Sequence, residues 1–185
     1  QTKDAWNNTI MKTLSLAPDH ISAYSLGIEE DSVFFQSARQ GKLDIPKPSE
    51  TSDMYSDLVA LLSDAGYEWY ELSNFARPGK ESAHNSGYWD FTPYMGLGVS
   101  AHSFDVTTRR WNTSVLQDYI EMIAENEDAT ESCEKHEGMC RTIEKIMLSL
   151  RTRNGIDIGS LDLSREQTKH LEKPIVPWNV PEELY

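Results

Sequence analysis

The stretch Thr51-Ser-Asp-Met-Tyr-Ser-Asp-Leu-Val-Ala-Leu-Leu-Ser-Asp-Ala65-Gly66, followed at once by Tyr67-Glu-Trp-Tyr-Glu-Leu72, decides the fold class. Met54, Leu58, Leu61, Leu62 and Ala65 recur at the spacing that stacks side chains on one helix face, and Gly66 offers the left-handed residue on which such a helix ends. Tyr67 to Leu72 is short and aromatic-rich, which reads as a strand. Upstream, His20-Ile-Ser-Ala-Tyr-Ser-Leu-Gly-Ile28 is a nearly uncharged run between Pro18-Asp19 and Glu29-Glu30-Asp31, so a buried strand is expected there. Strand, helix and strand form one crossover unit, which predicts parallel pairing and an α/β fold.

The pattern continues on both sides. Trp6, Ile10, Met11 and Leu14 give a first helix that ends at Ala17-Pro18, because proline disfavours helix in the residue before it. Ser73 to Tyr94 reads as a long irregular stretch of the kind that carries function. Met95 to Val106 reads as a strand in which Gly96 and Gly98 permit close backbone approach, with Arg109 to Asn112 as its hairpin partner. Ser114-Val-Leu-Gln117 has capping-box spacing before a helix striped by Leu116, Tyr119, Ile120 and Ile123. Another helix carries Met139, Ile143, Ile146, Met147 and Leu150. Between the two, the acidic run Glu125 to Glu137 reads as a solvated linker. Pro174 to Tyr185 reads as irregular, with Trp178 exposed.

Composition narrows the function classes. The chain has 185 residues, 38% hydrophobic and 10% aromatic, enough for a buried core. Seventeen Lys and Arg against 30 Asp and Glu give a net charge of −13, and no basic cluster stands ready to neutralise phosphates, so nucleic-acid binding is not expected. No run approaches the roughly eighteen apolar residues of a membrane span, and a cytoplasmic setting is expected. Cys133 and Cys140 are the two cysteines of the chain, too few for a disulfide framework or a three-thiolate cluster.

The residues with chemical potential concentrate in Tyr70-Glu-Leu-Ser-Asn-Phe-Ala-Arg-Pro-Gly79, His84-Asn85-Ser-Gly-Tyr88-Trp89 and Gly96-Leu-Gly-Val-Ser-Ala-His-Ser103. Together they supply imidazoles, amides, a glutamate and aromatic faces, the make-up of a pocket for a flat aromatic ligand. A neutral imidazole can ligate a metal, and Arg77 or Arg109 can pair with carboxylates.

These segments, with His20-Ile-Ser-Ala-Tyr-Ser-Leu-Gly-Ile-Glu29, resemble the HemW heme chaperones, radical S-adenosylmethionine (SAM) proteins related to oxygen-independent coproporphyrinogen III oxidase. The likeness runs in order from about residue 1 to residue 160, and His84-Asn85-x-x-Tyr88-Trp89 resembles the chaperone signature rather than the oxidase sequence. The resemblance implies the C-terminal part of a partial (β/α) radical SAM barrel over residues 1–113, followed by a mainly helical segment over residues 114–185. It further implies SAM, a [4Fe-4S] cluster and heme as the bound groups. On this likeness Tyr24, Gly27, Val99, Ala101 and His102 match the SAM side, and His84, Asn85, Tyr88 and Trp89 the heme side, with His84 as the heme-iron ligand. Glu29 and Ser32 match the family's Glu and Thr, with serine in place of threonine. The family's C-x3-C-x2-C cluster motif is absent from the chain, so the resemblance implies that Gln1 lies inside a longer protein and that this portion alone is inactive. The partners implied are heme or another tetrapyrrole and a heme-accepting protein. Oxidative decarboxylation of coproporphyrinogen III and a non-catalytic heme- or partner-binding module are the alternatives. A metal-dependent hydrolase using His84 and His102 is a third.

Each assignment has a plainer counterpart. His84 also fits a turn cap, His102 a hydrogen-bonded core residue on a buried strand, and Tyr88 and Trp89 simple packing. Tyr24 and Gly27 fit a barrel interior equally well. Glu71 reads as the partner of an arginine such as Arg77 in preference to a general base. Glu29, Glu30 and Asp31 read as a solvated loop. Gly96-x-Gly98 lacks the third glycine and following helix of a dinucleotide fingerprint.

Overall fold

A computed structural model describes residues 2–30, 32–161, 163–165, 168 and 169. The tail from Pro174 to Tyr185 with Trp178, and Asp31 of the acidic trio, lie outside them. The described residues fall into two compact units, one ending at Glu81 and one beginning at Ser82.

In the first unit, helix α1 (Lys3–Ser15) starts where the Thr2 hydroxyl accepts from the Ala5 amide, and helix α3 (Pro48–Asp64) begins on a proline whose missing N–H costs nothing at that position. α3 closes on Gly66 at φ +82°, as its sequence requires. A short helix α2 (Val33–Arg39), capped by Ser32, precedes it. Trp6 Nε1 donates to the Met54 carbonyl and Asn7 to Asp57, both at 3.0 Å, which fixes α1 against α3. Their facing residues Ile10, Leu58 and Leu62 bury Ile21, Tyr67 and the fully enclosed Phe75.

The sheet of this unit departs from the expected pairing. Strands β1 (His20–Ser22) and β2 (Glu68–Glu71) are not neighbours; β3 (Asn74–Ala76) inserts between them and runs antiparallel to both. The tight turn at Leu72-Ser73 sends the chain straight back, so the crossover leaves β1 and β2 pointing the same way on either side of a hairpin arm. The expected strand to Ile28 therefore stops at Ser22. Ala23 still donates to the Ser73 carbonyl at 2.8 Å, but β3 is too short to offer a partner beyond that turn, and Tyr24 and Leu26 are exposed. The reading of Ser73 to Tyr94 as irregular is corrected by β3 and, in the second unit, by helix α4 (Ala83–Trp89).

In the second unit, β4 (His102–Phe104), β5 (Thr108–Asn112) and β6 (Thr130–Lys135) form an antiparallel sheet in that order. The expected strand from Met95 is reduced to His102–Phe104, with Tyr94 making one further bridge to Phe104. The hairpin of Arg109 to Asn112 with β4 is present. The supposed linker Glu125 to Glu137 holds β6: most of its side chains are solvated, as their acidity requires, Ala129 and His136 are buried, and its backbone completes the ladder of β5. Helix α5 (Leu116–Ala124) starts from Val115, and the expected Ser114–Gln117 box is replaced by Thr113 accepting from the Val115 amide and Gln117 donating to Glu121. Helix α6 (Gly138–Ser149) follows β6.

Candidate functional site

Helix α4 carries the His84 to Trp89 sequence. Ser82 caps it, its hydroxyl accepting from the Asn85 amide at 3.2 Å. Four residues apart on a helix share a face. His84 and Tyr88 accordingly meet, with Nε2 and the phenol oxygen 3.0 Å apart and the rings edge to face at 5.0 Å. Both side chains are exposed. Tyr88 also meets the Tyr94 ring edge to face at 4.9 Å. Tyr94 is held in turn by two backbone hydrogen bonds with Phe104, at 3.0 and 2.8 Å. Trp89 lies beneath the Arg151 guanidinium, and its buried indole N–H has no partner among the described residues.

Behind Tyr88 is a cavity of about 150 Å³, walled by Phe91, Tyr94 and Phe104 and floored by Arg109 and Glu144. Arg109 bonds Glu134 of β6 at 3.2 Å and Glu144 of α6 at 2.6 Å. His136 is buried between the same two carboxylates, with Nε2 3.0 Å from Glu134 and Nδ1 against Glu144. The four side chains close a ring that ties β5, β6 and α6 together. The His136 bond, with Arg109 adding attraction, holds the Glu134 carboxyl below its ordinary value. Burial opposes the charge on Arg109, yet its bonds to Glu144 and Tyr94 outweigh that and keep the guanidinium protonated. Sequence reasoning named Arg109 but missed Glu134, His136 and Glu144. Their signal was present: Glu134 and His136 are two apart, the spacing of one strand face, but reading the segment as a linker hid it.

The glycine loop before β4 is built as its composition predicts. A Cβ on Gly96 would sit 2.1 Å from the His102 carbonyl oxygen, so only glycine fits there, and Gly98 takes φ +103°. Asn112 donates to the Gly98 carbonyl at 2.8 Å, Gly98 donates to the Tyr119 hydroxyl at 3.0 Å, and the Asn112 amide donates to the Ala101 carbonyl at 3.0 Å. The loop that carries Val99 and Ala101 is therefore fixed from β5 and α5. His102 corrects an expectation: it is exposed at the start of β4 and stacks on Trp111 at 5.7 Å, instead of lying in a core.

Tyr24 and Gly27 belong to the first unit. Tyr24 lines an apolar cavity of about 280 Å³ with Trp6, Leu26, Met54 and Tyr55. A Cβ on Gly27 would meet only Glu29 Oε1, at 3.8 Å, so sterics do not demand glycine there. Glu71 is buried and accepts from the Ser73 amide at 3.2 Å, while Arg77 lies over the Tyr67 ring at 4.8 Å. The expected Glu71–Arg77 pair is thus replaced by two separate contacts. Burial, with the Glu71 charge beside it, pushes the Tyr55 phenol above its ordinary value.

Cys133 and Cys140 are free and exposed, and among the described residues no three His, Cys, Asp or Glu side chains converge to hold a metal ion. These donors do not fit a [4Fe-4S] cluster, nor do they supply the site of a zinc hydrolase. Among the described residues, no helix is long and apolar enough to cross a membrane.

No family model matches the chain. It is 34% identical over 149 residues to the "Heme chaperone HemW" of Mycobacterium tuberculosis, covering 80% of the chain and 38% of that protein. It is 37% identical over 125 residues to the HemW of Bacillus subtilis, covering 68% of the chain and 33% of that protein. The chain belongs to the HemW-like radical SAM family. The solved radical SAM enzyme coproporphyrinogen III oxidase (HemN) of Escherichia coli shares the fold, with a TM-score of 0.65 and 22% identity over 82% of the chain and 38% of that structure. The α/β class and the radical SAM fold expected from the sequence hold on this comparison. The chain spans well under half the length of these two HemW relatives, at 38% and 33%.

Proposed function

We propose that this HemW-like chain binds heme and that α4 is the centre of the heme surface, with His84, Asn85, Tyr88 and Trp89 on it. One observation carries the reading. A nitrogen and a phenol oxygen, both able to ligate iron, stand 3.0 Å apart on an exposed helix face braced by aromatic rings. The cavity behind them, about 150 Å³, is below the size of a cofactor pocket, so a tetrapyrrole is a ligand for the outer side of α4. The net charge of −13 suits delivery to a partner with a basic face and makes an anionic surface an unsuitable one.

By their match to the family, Tyr24 and Gly27 in the first unit and, separately, Val99, Ala101 and His102 in the second are the residues proposed for SAM, and within the second unit the Gly96–Ala101 loop is fixed from β5 and α5. SAM supplies one-electron chemistry when a reduced cluster stands beside it, and the donors among the described residues do not hold one. In our reading residues 1–113 are the barrel segment and residues 114–185 open the domain that follows. Binding and delivery, rather than decarboxylation of coproporphyrinogen III, is the function proposed for these residues.

The test is equilibrium titration of the 185-residue chain with ferric heme, followed by its Soret band. Saturable binding is expected in the native chain, with loss of saturation in the double variant His84→Ala, Tyr88→Phe. Equal binding by native chain and double variant would remove α4 from the site.

A further inference from the structure

We propose that His136 is a proton-operated clasp: as an imidazolium it fastens helix α6 to the β5–β6 ladder through Glu144 and Glu134, and loss of one proton releases the helix. Both ring nitrogens face carboxylate oxygens, Nε2 that of Glu134 at 3.0 Å and Nδ1 that of Glu144. An ionised carboxylate only accepts, and a neutral imidazole carries a single N–H. The neutral ring would therefore turn a lone pair toward one of the two carboxylates. The doubly protonated ring donates to both.

Charge leads to the same state. Arg109 bonds the same two carboxylates from β5, at 3.2 and 2.6 Å. With His136 protonated, two positive and two negative groups close a neutral ring. Without that proton, an uncompensated negative charge is left around a side chain that is buried, and such a charge is costly away from water. The other groups nearby do not replace it. From β4 the Phe104 ring meets the imidazole edge to face at 5.6 Å, and the Thr107 carbonyl accepts from the His136 amide at 2.7 Å. The cations of α6, Arg141 and Lys145, donate to the Val106 and Ser160 carbonyls at 3.3 and 3.0 Å. Arg110 and Lys135 lie on the opposite face of the β5–β6 ladder, because successive strand residues alternate.

Helix α6 is sensitive to one such bond because little apolar surface holds it. Met139, Ile143 and Met147 on its stripe are half exposed, and its one buried residue among those described is Thr142. Glu144 and Leu148 of the same helix line the cavity behind Tyr88, so release of α6 opens that cavity.

The test follows the native 185-residue chain by nuclear magnetic resonance from about pH 5 upward, the range in which imidazoles change charge. Ring nitrogen signals, assigned through bonds to the His136 backbone, report one or two ring protons. Amide hydrogen exchange, corrected for its intrinsic pH dependence, reports α6. Expected is a doubly protonated ring at the acidic end. Protection of α6 should then fall about tenfold to about 100-fold in step with loss of the ring proton, the worth of one hydrogen bond to a charged group. Protection of α3, in the first unit, should not follow the ring. In His136→Gln, shown folded by circular dichroism, the step should be absent. A ring that keeps one proton, or keeps both, at every pH at which the chain is folded overturns the clasp. Protection of α6 that stays level while the ring titrates overturns it as well, and so does a step that survives in His136→Gln. Both readouts come from the native chain, so the outcome does not depend on the variant folding.

Discussion

In the unit that ends at Glu81, Ile10, Ile21, Leu58, Leu62, Tyr67 and Phe75 pack into one buried apolar cluster. In the unit that begins at Ser82, the buried described residues are Phe104, Ala129, His136 and Thr142, half of them polar, and a ring of Arg109, Glu134, His136 and Glu144 joins β5, β6 and α6 beside the strand ladder. The first unit is therefore held by area removed from water, which neither salt nor acid alters much near neutrality. The second adds to its strand ladder a set of charges whose worth depends on both. The aromatic face proposed for heme sits on the second and shares a cavity with that ring, because Tyr88, Arg109 and Glu144 line the same space.

The contrast can be broken at its strongest point. Phe75 is fully enclosed, so Phe75→Ala should cost about 3–5 kcal/mol in urea unfolding, the range for deleting a buried ring. Arg109→Leu leaves Glu134 and Glu144 facing each other and His136 without their shared cation. It should cost about 1–3 kcal/mol and open the Tyr88 cavity, read as a change in near-ultraviolet circular dichroism. Gly96→Ala drives a methyl group into the His102 carbonyl, and a loss of about 1–3 kcal/mol with altered Trp111 fluorescence is expected. An unchanged Gly96→Ala variant would contradict the close approach of Gly96 to the His102 carbonyl.

The smallest effect is the dependence on acid. The Glu134 carboxyl is held below its ordinary value of 4.5, chiefly by the His136 bond, so its contribution to stability is complete above 4.5 and is lost as pH falls through the lower folded value. Urea midpoints measured downward from pH 5 should fall less steeply in His136→Gln than in the native chain. Equal slopes would assign the acid sensitivity elsewhere. Because half of the Glu134 side chain is exposed, added salt should shrink the difference.

What the sequence disclosed follows the same division. Periodicity located α1, α3, α5 and α6, since a helix face is a local repeat. Glycine chemistry located the close approach at Gly96. Strand pairing was not local: nothing in His20 to Ile28 announces that β3 will insert beside it and stop the ladder at Ser22. The acidity of Glu125 to Glu137 described its solvent-facing side chains correctly and concealed the backbone pairing of β6. The ring around His136 escaped for that reason, its members being brought together from three elements. Membership of the HemW-like family was legible because motif order along the chain does not depend on how the strands pair.

Whether α4 is the heme surface is tested most directly by amide hydrogen exchange of the native chain with and without ferric heme. If it is, protection is concentrated over Ala83 to Tyr94 in the second unit, where His84 and Tyr88 face outward. Protection concentrated instead around Tyr24, Met54 and Tyr55, beside the 280 Å³ cavity of the first unit, would place the tetrapyrrole elsewhere and contradict the assignment to α4.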